Sequence, residues 1–307
     1  MRIAVMGAGG VGGYFGARLA QSGHDVAFVA RGRHLAAMRE QGLRVTSALG
    51  DIHLPKPTVS ENPANLGGFD VVLFAVKLWD TESAAAAIKP MLAAGGVVIP
   101  FQNGVESIER IGAVVGPEHV MGGVAYIAAK IAAPGVIAHT GTMARLVLGP
   151  VLAAQQASAE ALLGACKDAR IDAEIVADIR KALWTKFVFL VALSGMTSAT
   201  RHPIGVIRAD PDMRATFEAA MRETWELGRA RGVALADDLI AERMRFGDGL
   251  PAEMKASMLH DLDAGNRLEA PWLSGAVARM AKETGLSAPV NATLYAAVKP
   301  YCAGVAR

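Results

Sequence analysis

Short apolar runs alternate with longer mixed segments through the first half of the chain. The runs at Ile3–Met6, Val26–Arg31, Val71–Val76 and Val97–Phe101 have the length of strands, and Val71–Val76 is apolar without a break. An unbroken apolar strand is typical of a parallel sheet that is covered on both faces. Because helical segments separate these runs, the pattern predicts an α/β domain with a doubly wound parallel sheet.

Other elements of this half follow from periodicity and turn residues. Helices are predicted at Val11–Gln21 and Glu82–Leu92. Later strands are predicted at Val120–Ile127, Gly135–His139 and Leu146–Leu148, with a turn at His139–Thr142.

The pattern changes after Pro150. Long stretches rich in Ala, Leu, Met, Glu and Arg, with few β-branched runs, predict an all-helical second half. Proline suits the first turn of a helix, and we expect helices to begin at Pro211, Pro251, Pro271 and Pro289. The chain therefore divides into an α/β domain over residues 1–170 and a helical domain over residues 171–307.

The composition is that of a globular protein. Of the 307 residues 52% are hydrophobic and 20% are charged. The net charge of +2 provides no global field to attract nucleic acid. Two cysteines are too few for a disulfide framework, and no Cys/His spacing resembles a metal site.

The sequence also bears on location and partners. No apolar run approaches the roughly 20 residues that span a bilayer, and Met1–Val5 reads as a strand rather than a signal peptide. We expect a cytoplasmic protein whose partner is a small molecule, with neither a membrane nor a nucleic acid as partner. Assembly of the chain as a homodimer is a further alternative.

A glycine-rich motif follows the first strand. The segment Gly7-Ala8-Gly9-Gly10-Val11-Gly12 fits G-x-G-x-x-G between a strand and a helix. Gly7 allows a tight turn, Gly9 lets the backbone approach a pyrophosphate, and Gly12 lets the helix pack closely on the sheet. This context favours a Rossmann-type dinucleotide site over a simple tight turn.

The residues after the second strand indicate which dinucleotide binds. An acidic residue there would accept hydrogen bonds from the ribose of NAD, whereas this chain has Arg31 and Arg33. A guanidinium suits a 2′-phosphate, so the sequence predicts NADPH, with Arg31 as the first candidate and Arg33 as the second. The alternative is that both are solvated surface arginines.

Two polar residues follow later strands at the carboxyl edge of the predicted sheet, where open α/β sheets place ligands. Lys77 follows Val71–Val76, and Asn103 follows Val97–Phe101. The Asn103 amide can both donate and accept, so it could hold a nicotinamide or a substrate hydroxyl. Either residue could instead hydrogen-bond its own loop.

Lys186 lies in the apolar stretch Leu183–Leu190. Lysines in such stretches commonly extend to water. An enclosed ammonium would instead have a lowered pKa and make a useful proton donor. The residues alone leave both interpretations open.

With these motifs the chain resembles the ketopantoate reductases (2-dehydropantoate 2-reductases) over nearly its whole length. The matching segments are Met1–Gly16, Val76-Lys77, Gln102-Asn103-Gly104, Leu183–Lys186 and Ser257–Glu269. The resemblance implies a Rossmann domain, a helical second domain and an active site between them. It also implies reduction of ketopantoate to pantoate by NADPH, a step toward pantothenate and coenzyme A.

The resemblance also implies residue roles. Lys186 matches the lysine that protonates the keto oxygen, and Glu269 matches a carboxylate that orients this lysine and contacts substrate. Ser257 matches a hydroxyl that binds substrate, and Asn103 is expected to contact both cofactor and substrate.

Three positions depart from the family pattern. Leu190, Ser194 and Met254 stand where the best-known members have asparagine. A more apolar pocket favours a substrate with a larger apolar tail, so a related hydroxyacid or opine-type dehydrogenase is the alternative. A non-catalytic NADPH sensor is a third hypothesis, although a sensor would need no proton donor such as Lys186.

Overall fold

The computed structural model describes residues 1–305 and divides them into two compact units. The first unit comprises residues 1–102 and 106–179, and the second comprises residues 103–105 and the chain from residue 180 onward. The first unit extends past residue 170 because the strand Asp172–Ile175 pairs within its sheet. The short segment Asn103–Val105 belongs with the helical unit although it lies within the α/β half of the sequence.

The strands all lie in the first unit. They are β1 (Arg2–Met6), β2 (Asp25–Val29), β3 (Leu43–Thr46), β4 (Ile52–Leu54), β5 (Thr58–Ser60), β6 (Phe69–Phe74), β7 (Leu92–Pro100), β8 (Gly122–Ala133), β9 (Val136–Gly149) and β10 (Asp172–Ile175).

The α-helices occur in both units. They are α1 (Gly10–Gln21), α2 (Gly32–Gln41), α3 (Thr81–Ile88), α4 (Ser107–Val115), α5 (Gln156–Asp168), α6 (Ile179–Thr200), α7 (Ile204–Ala209), α8 (Pro211–Ala230), α9 (Leu239–Asp248), α10 (Ser257–Asp263), α11 (Ser274–Glu283) and α12 (Pro289–Val298).

A five-stranded parallel sheet carries the N-terminal motif. Its order is β5-β2-β1-β6-β7, so the chain moves outward from β1 in both directions. Ile3, Val5, Val71 and Leu73 on the central strands are at most 1% exposed, as expected for a sheet that is covered on both faces. The predicted α/β class followed by a helical domain is confirmed.

A second, mixed sheet has the order β10-β9-β3-β4, with β8 antiparallel to β9. The predicted turn at His139–Thr142 is wrong, because this segment lies inside the continuous strand β9. The pairing shifts register between Ile127↔Ala144 and Ala129↔His139. The polar residues therefore form an irregularity in the strand rather than a reversal of the chain.

Helices build the second unit. Pro211 and Pro289 begin α8 and α12 as predicted. No α-helix begins at Pro271, which is the second residue of the short 3-10 turn Ala270–Trp272. The expectation for Pro251 is wrong, since it lies in the loop between α9 and α10. That loop forms its own turn, in which the Met254 amide donates to the Pro251 carbonyl.

The helix α6 is long and apolar enough to cross a membrane by length and composition. The search for long apolar runs in the sequence did not reveal this helix, because the continuous apolar run inside α6 is short. However, 72% of its most apolar stretch of 18 residues is buried inside the structure, so α6 packs as a core helix. Phe187, Val188, Val191 and Ala192 of α6 are at most 1% exposed.

Candidate active site

The glycine-rich loop joins β1 to α1. Gly7 has φ +97°, a left-handed conformation that glycine adopts without strain. The amides of Gly7 and Ala8 donate to the Val29 carbonyl at 3.2 and 3.1 Å. The end of β2 therefore holds the start of the loop.

The protein packs tightly against one side of this loop. A Cβ atom on Gly10 would lie 2.1 Å from the Ala129 carbonyl oxygen, and one on Gly12 would lie 2.2 Å from the Gly7 carbonyl oxygen. Gly9 differs, because among the described residues no atom apart from its neighbours along the chain lies within 4 Å of its Cβ position. The loop thus has no room for a side chain at Gly10 or Gly12, but it has open space at Gly9.

This arrangement fits a dinucleotide. The first N–H groups of α1 have no acceptor within their own helix, and such groups together with the helix dipole bind phosphate. Ala8 is buried, whereas Gly9, Gly10 and Val11 are half-buried. A pyrophosphate could approach the backbone at Gly9, where no side chain intervenes.

In the structure the carboxylate of Asp80 lies close to Arg31, the first candidate for binding the 2′-phosphate of NADPH. Arg31 precedes the first residue of α2, and its side chain is 58% exposed. Its Nη1 lies 3.7 Å from Oδ2 of Asp80, and Arg33 is exposed. Asp80 was missed in the sequence, although it lies only three residues after Lys77 at the same strand end.

The structure places Lys77 on the surface of the first unit. Lys77 is exposed immediately before the 3-10 turn Leu78–Asp80. Its Nζ lies 5.8 Å from the centroid of the Trp79 ring, within the range of a cation–π contact. A role for Lys77 in cofactor binding stays a prediction.

The structure brings Asn103 and Lys186 together. Lys186 Nζ donates a hydrogen bond of 3.2 Å to Asn103 Oδ1. Asn103 thereby presents its carbonyl oxygen to the ammonium and keeps its NH₂ group as a donor. This contact joins Asn103 to α6, and Val105 packs against the apolar core of the same helical unit.

The environment of Lys186 alters its acidity. Its helix neighbours Trp184 and Phe187 are at most 3% exposed. Burial of the ammonium lowers the pKa of Lys186 from its ordinary 10.5 to about 8, while the negative charge of Glu269 opposes that shift. Glu269 is 7% exposed and lies immediately before the turn Ala270–Trp272. Lys186 is therefore charged at pH 7 and able to give up its proton close to that pH.

The remaining predicted residues lie in different surroundings. Ser257 is exposed as the first residue of α10, and its role in binding substrate stays a prediction. Leu190 and Met254 are half-buried and pack against the apolar core of the second unit. Ser194 is 1% exposed, and its hydroxyl has no hydrogen-bond partner among the described residues.

No cluster of three or more His, Cys, Asp or Glu in residues 1–305 could hold a metal ion. The chemistry available at Asn103, Lys186 and Glu269 is proton donation and hydrogen bonding. A dinucleotide would have to supply any redox chemistry.

Comparison with known families matches both halves of the chain. Residues 3–153 match the family "Ketopantoate reductase PanE/ApbA", and residues 178–301 match "Ketopantoate reductase PanE/ApbA C terminal". Together these matches cover most of both units.

Individual relatives span nearly the whole chain. An uncharacterized oxidoreductase, YkpB, from Bacillus subtilis is 32% identical, covering 98% of this chain and 99% of its own. A 2-dehydropantoate 2-reductase from Archaeoglobus fulgidus is 31% identical, covering 95% of each chain.

A solved structure agrees with these matches. The PanE/ApbA family ketopantoate reductase from Ralstonia eutropha superimposes with a TM-score of 0.90 at 33% identity, covering 98% of each chain. The chain is an oxidoreductase and belongs to the ketopantoate reductase family, a family of NAD(P)-dependent reductases.

Proposed function

We propose that the protein reduces a 2-keto acid to the corresponding 2-hydroxy acid with NADPH. The first candidate reaction is 2-dehydropantoate to pantoate, on the route to pantothenate and coenzyme A. The observation that carries the proposal is the Lys186 ammonium, hydrogen-bonded to Asn103 and acidified by burial.

Each residue of this cluster has a chemical task in the proposed reaction. Lys186 donates its proton to the keto oxygen as negative charge develops there. The Asn103 amide holds the ammonium through Oδ1 and directs its NH₂ group to an oxygen of the substrate. Glu269 keeps Lys186 protonated near neutral pH, because its charge raises the lysine pKa. A bound nicotinamide cofactor would supply the hydride.

Arg31 supports NADPH as that cofactor. Its guanidinium is exposed and anchored at the N-terminus of α2, where a 2′-phosphate could accept its hydrogen bonds. The contact with Asp80 is long and solvent-exposed, so it is weak. A doubly charged phosphate should compete successfully with this single carboxylate.

A second candidate is the same reaction on a more apolar keto acid. Leu190 and Met254 pack against the apolar core and offer no hydrogen bond to a substrate hydroxyl. This favours a branched aliphatic keto acid over the hydroxyl-bearing 2-dehydropantoate. If so, Leu190→Asn should shift the preference back toward 2-dehydropantoate.

One assay tests the proposal. Purified protein is mixed with NADPH and a panel of 2-keto acids that includes 2-dehydropantoate and its analogues without the hydroxyl, and loss of reduced cofactor is followed. We expect turnover of at least one keto acid and none with Lys186→Met above a small residual rate. Tight NADPH binding without turnover of any keto acid would favour the sensor hypothesis instead.

A further inference from the structure

His34 makes two hydrogen bonds that link the glycine-rich loop to another part of the first unit. Its Nε2 lies 2.9 Å from the carbonyl oxygen of Ala8, the second residue of the loop. Its Nδ1 lies 3.0 Å from the amide nitrogen of Gly135, in the turn between β8 and β9. One half-buried imidazole thus joins three segments that are far apart in sequence.

The two partners allow only one form of the ring. A carbonyl oxygen only accepts, so Nε2 must carry the proton, and an amide N–H only donates, so Nδ1 must be bare. Burial lowers the pKa of His34 from its ordinary 6.5, and the bond to Ala8 opposes that shift. The ring is therefore neutral at pH 7, as the two bonds require.

The bond to Ala8 controls the direction of the next amide. The described residues contain no cis peptide bonds, so the planar unit between Ala8 and Gly9 is trans. In a trans unit the C=O and the N–H point in opposite directions. When His34 holds the Ala8 carbonyl, the Gly9 N–H points away from His34. Gly9 is also the loop position with open space at its Cβ.

The turn that binds His34 is itself held firmly. The Arg44 amide donates to the Gly135 carbonyl at 2.9 Å, and a Cβ atom on Gly135 would lie 3.2 Å from Cβ of Ala37 in α2. Ala129 of β8, in the same hairpin, closes tightly over Gly10. The hairpin therefore braces the loop directly at Gly10 and through His34 at Ala8.

We propose that His34 is a positioning residue for the dinucleotide: its imidazole fixes the Ala8–Gly9 peptide so that the Gly9 N–H faces the pyrophosphate. His34 does not touch the ligand in this role and acts through the loop backbone. The inference rests on the proposed cofactor site. The same short segment carries Arg31, so one turn of α2 serves both the loop and the predicted 2′-phosphate contact.

Two variants separate the two bonds of His34. In His34→Gln the side-chain NH₂ takes the place of Nε2 and keeps the donor to Ala8. In His34→Asn the side-chain oxygen takes the place of Nδ1 and keeps only the acceptor for Gly135. The matched control is His53→Asn, because His53 is exposed on β4 and its Nε2 hydrogen-bonds the Gln41 carbonyl, away from the glycine-rich loop.

The experiment measures dissociation constants for NADPH and NADH, thermal stability, and KM for the keto acid at saturating cofactor. We expect His34→Asn to weaken both cofactors about three- to tenfold, with His34→Gln within about twofold of wild type. KM for the keto acid should not change in either variant. His53→Asn should bind both cofactors as wild type does.

Three outcomes would overturn the inference. Equal weakening in His34→Gln and His34→Asn would mean that the ring acts by packing. Wild-type affinity in His34→Asn would mean that the Ala8 bond is irrelevant to binding. If the wild-type protein itself binds neither NADPH nor NADH, the proposed cofactor site fails and the role of His34 fails with it.

Discussion

The glycine-rich loop and the Lys186 cluster are built in opposite ways. The loop is six consecutive residues, Gly7–Gly12, and it offers backbone groups that almost any sequence could supply if its side chains were small enough. The cluster uses side chains at positions 103, 186 and 269, which tertiary folding brings together in the second unit. The loop therefore depends on the absence of bulky side chains, and the cluster depends on the presence of three polar side chains.

This difference predicts how each region fails. Adding atoms to the loop should damage binding, because its function depends on close approach. Removing a functional group from the cluster should damage chemistry, because its function depends on an acidic ammonium. Substitutions in the two regions should therefore separate cofactor affinity from turnover.

The largest expected effect is that of Lys186→Met. Methionine keeps an apolar stem among the buried neighbours of α6 and removes only the ammonium. Loss of a general acid typically costs about a hundred- to ten-thousand-fold in rate, and kcat with bound NADPH should fall by that amount. Cofactor affinity, measured by titration, should be unchanged. A variant within a few-fold of wild type would remove Lys186 from the mechanism.

Arg31→Ala tests the preference for NADPH over NADH on the cofactor side of the comparison. A charge-assisted hydrogen bond to the 2′-phosphate contributes on the order of 1.5–3 kcal/mol, which is about ten- to a hundredfold in affinity. The variant should lose that much NADPH affinity and keep its NADH affinity. Equal affinity of the wild-type protein for both cofactors would contradict the assignment of Arg31.

Alanine substitutions at Gly9 and Gly10 should have different effects, the first on cofactor affinity and the second on the stability of the fold. Gly9→Ala meets no protein atom at its Cβ and should leave the melting temperature unchanged, yet weaken NADPH about tenfold by obstructing the pyrophosphate. Gly10→Ala forces a methyl group against the Ala129 carbonyl and should cost about 1–3 kcal/mol of stability. Thermal melts with and without NADPH measure both. A Gly9→Ala protein that binds NADPH normally would contradict the proposed approach of the ligand.

The smallest expected effect is that of Asp80→Asn. Exposed ion pairs contribute about 0.2–1 kcal/mol, so freeing Arg31 should strengthen NADPH binding by no more than about fivefold. NADH affinity should not change. A weaker affinity for NADPH would show that Asp80 positions the guanidinium rather than competing with the phosphate.

The first unit was the easier one to predict from sequence. Apolar runs revealed β1, β2, β6 and β7, because strands buried on both faces leave an unbroken signal. The helix α2 was missed because Gly32 and its polar neighbours resemble a loop, and its burial depends on contacts with distant segments. The error at His139–Thr142 has a similar origin, since pairing with β8 outweighs local turn residues.

The candidate site likewise has a part that the sequence predicts and a part that only the fold reveals. The loop was predictable because its motif is contiguous, whereas no spacing shows that Asn103 meets Lys186. Asp80 and His34 were missed for the same reason, since each acquires its partner only through the fold. The apolar flanks of Lys186 were a genuine sequence signal, but they could not decide between burial and exposure.

The pH dependence of kcat/KM for the keto acid tests the central claim most directly. The acid must be protonated, and burial lowers the pKa of Lys186 to about 8. Activity should therefore be full below that pH and fall about tenfold per pH unit above it in the wild-type protein. In Lys186→Met this limb should be absent from the residual rate. A wild-type profile that stays flat well above pH 8, or the same limb in the variant, would contradict Lys186 as the proton donor.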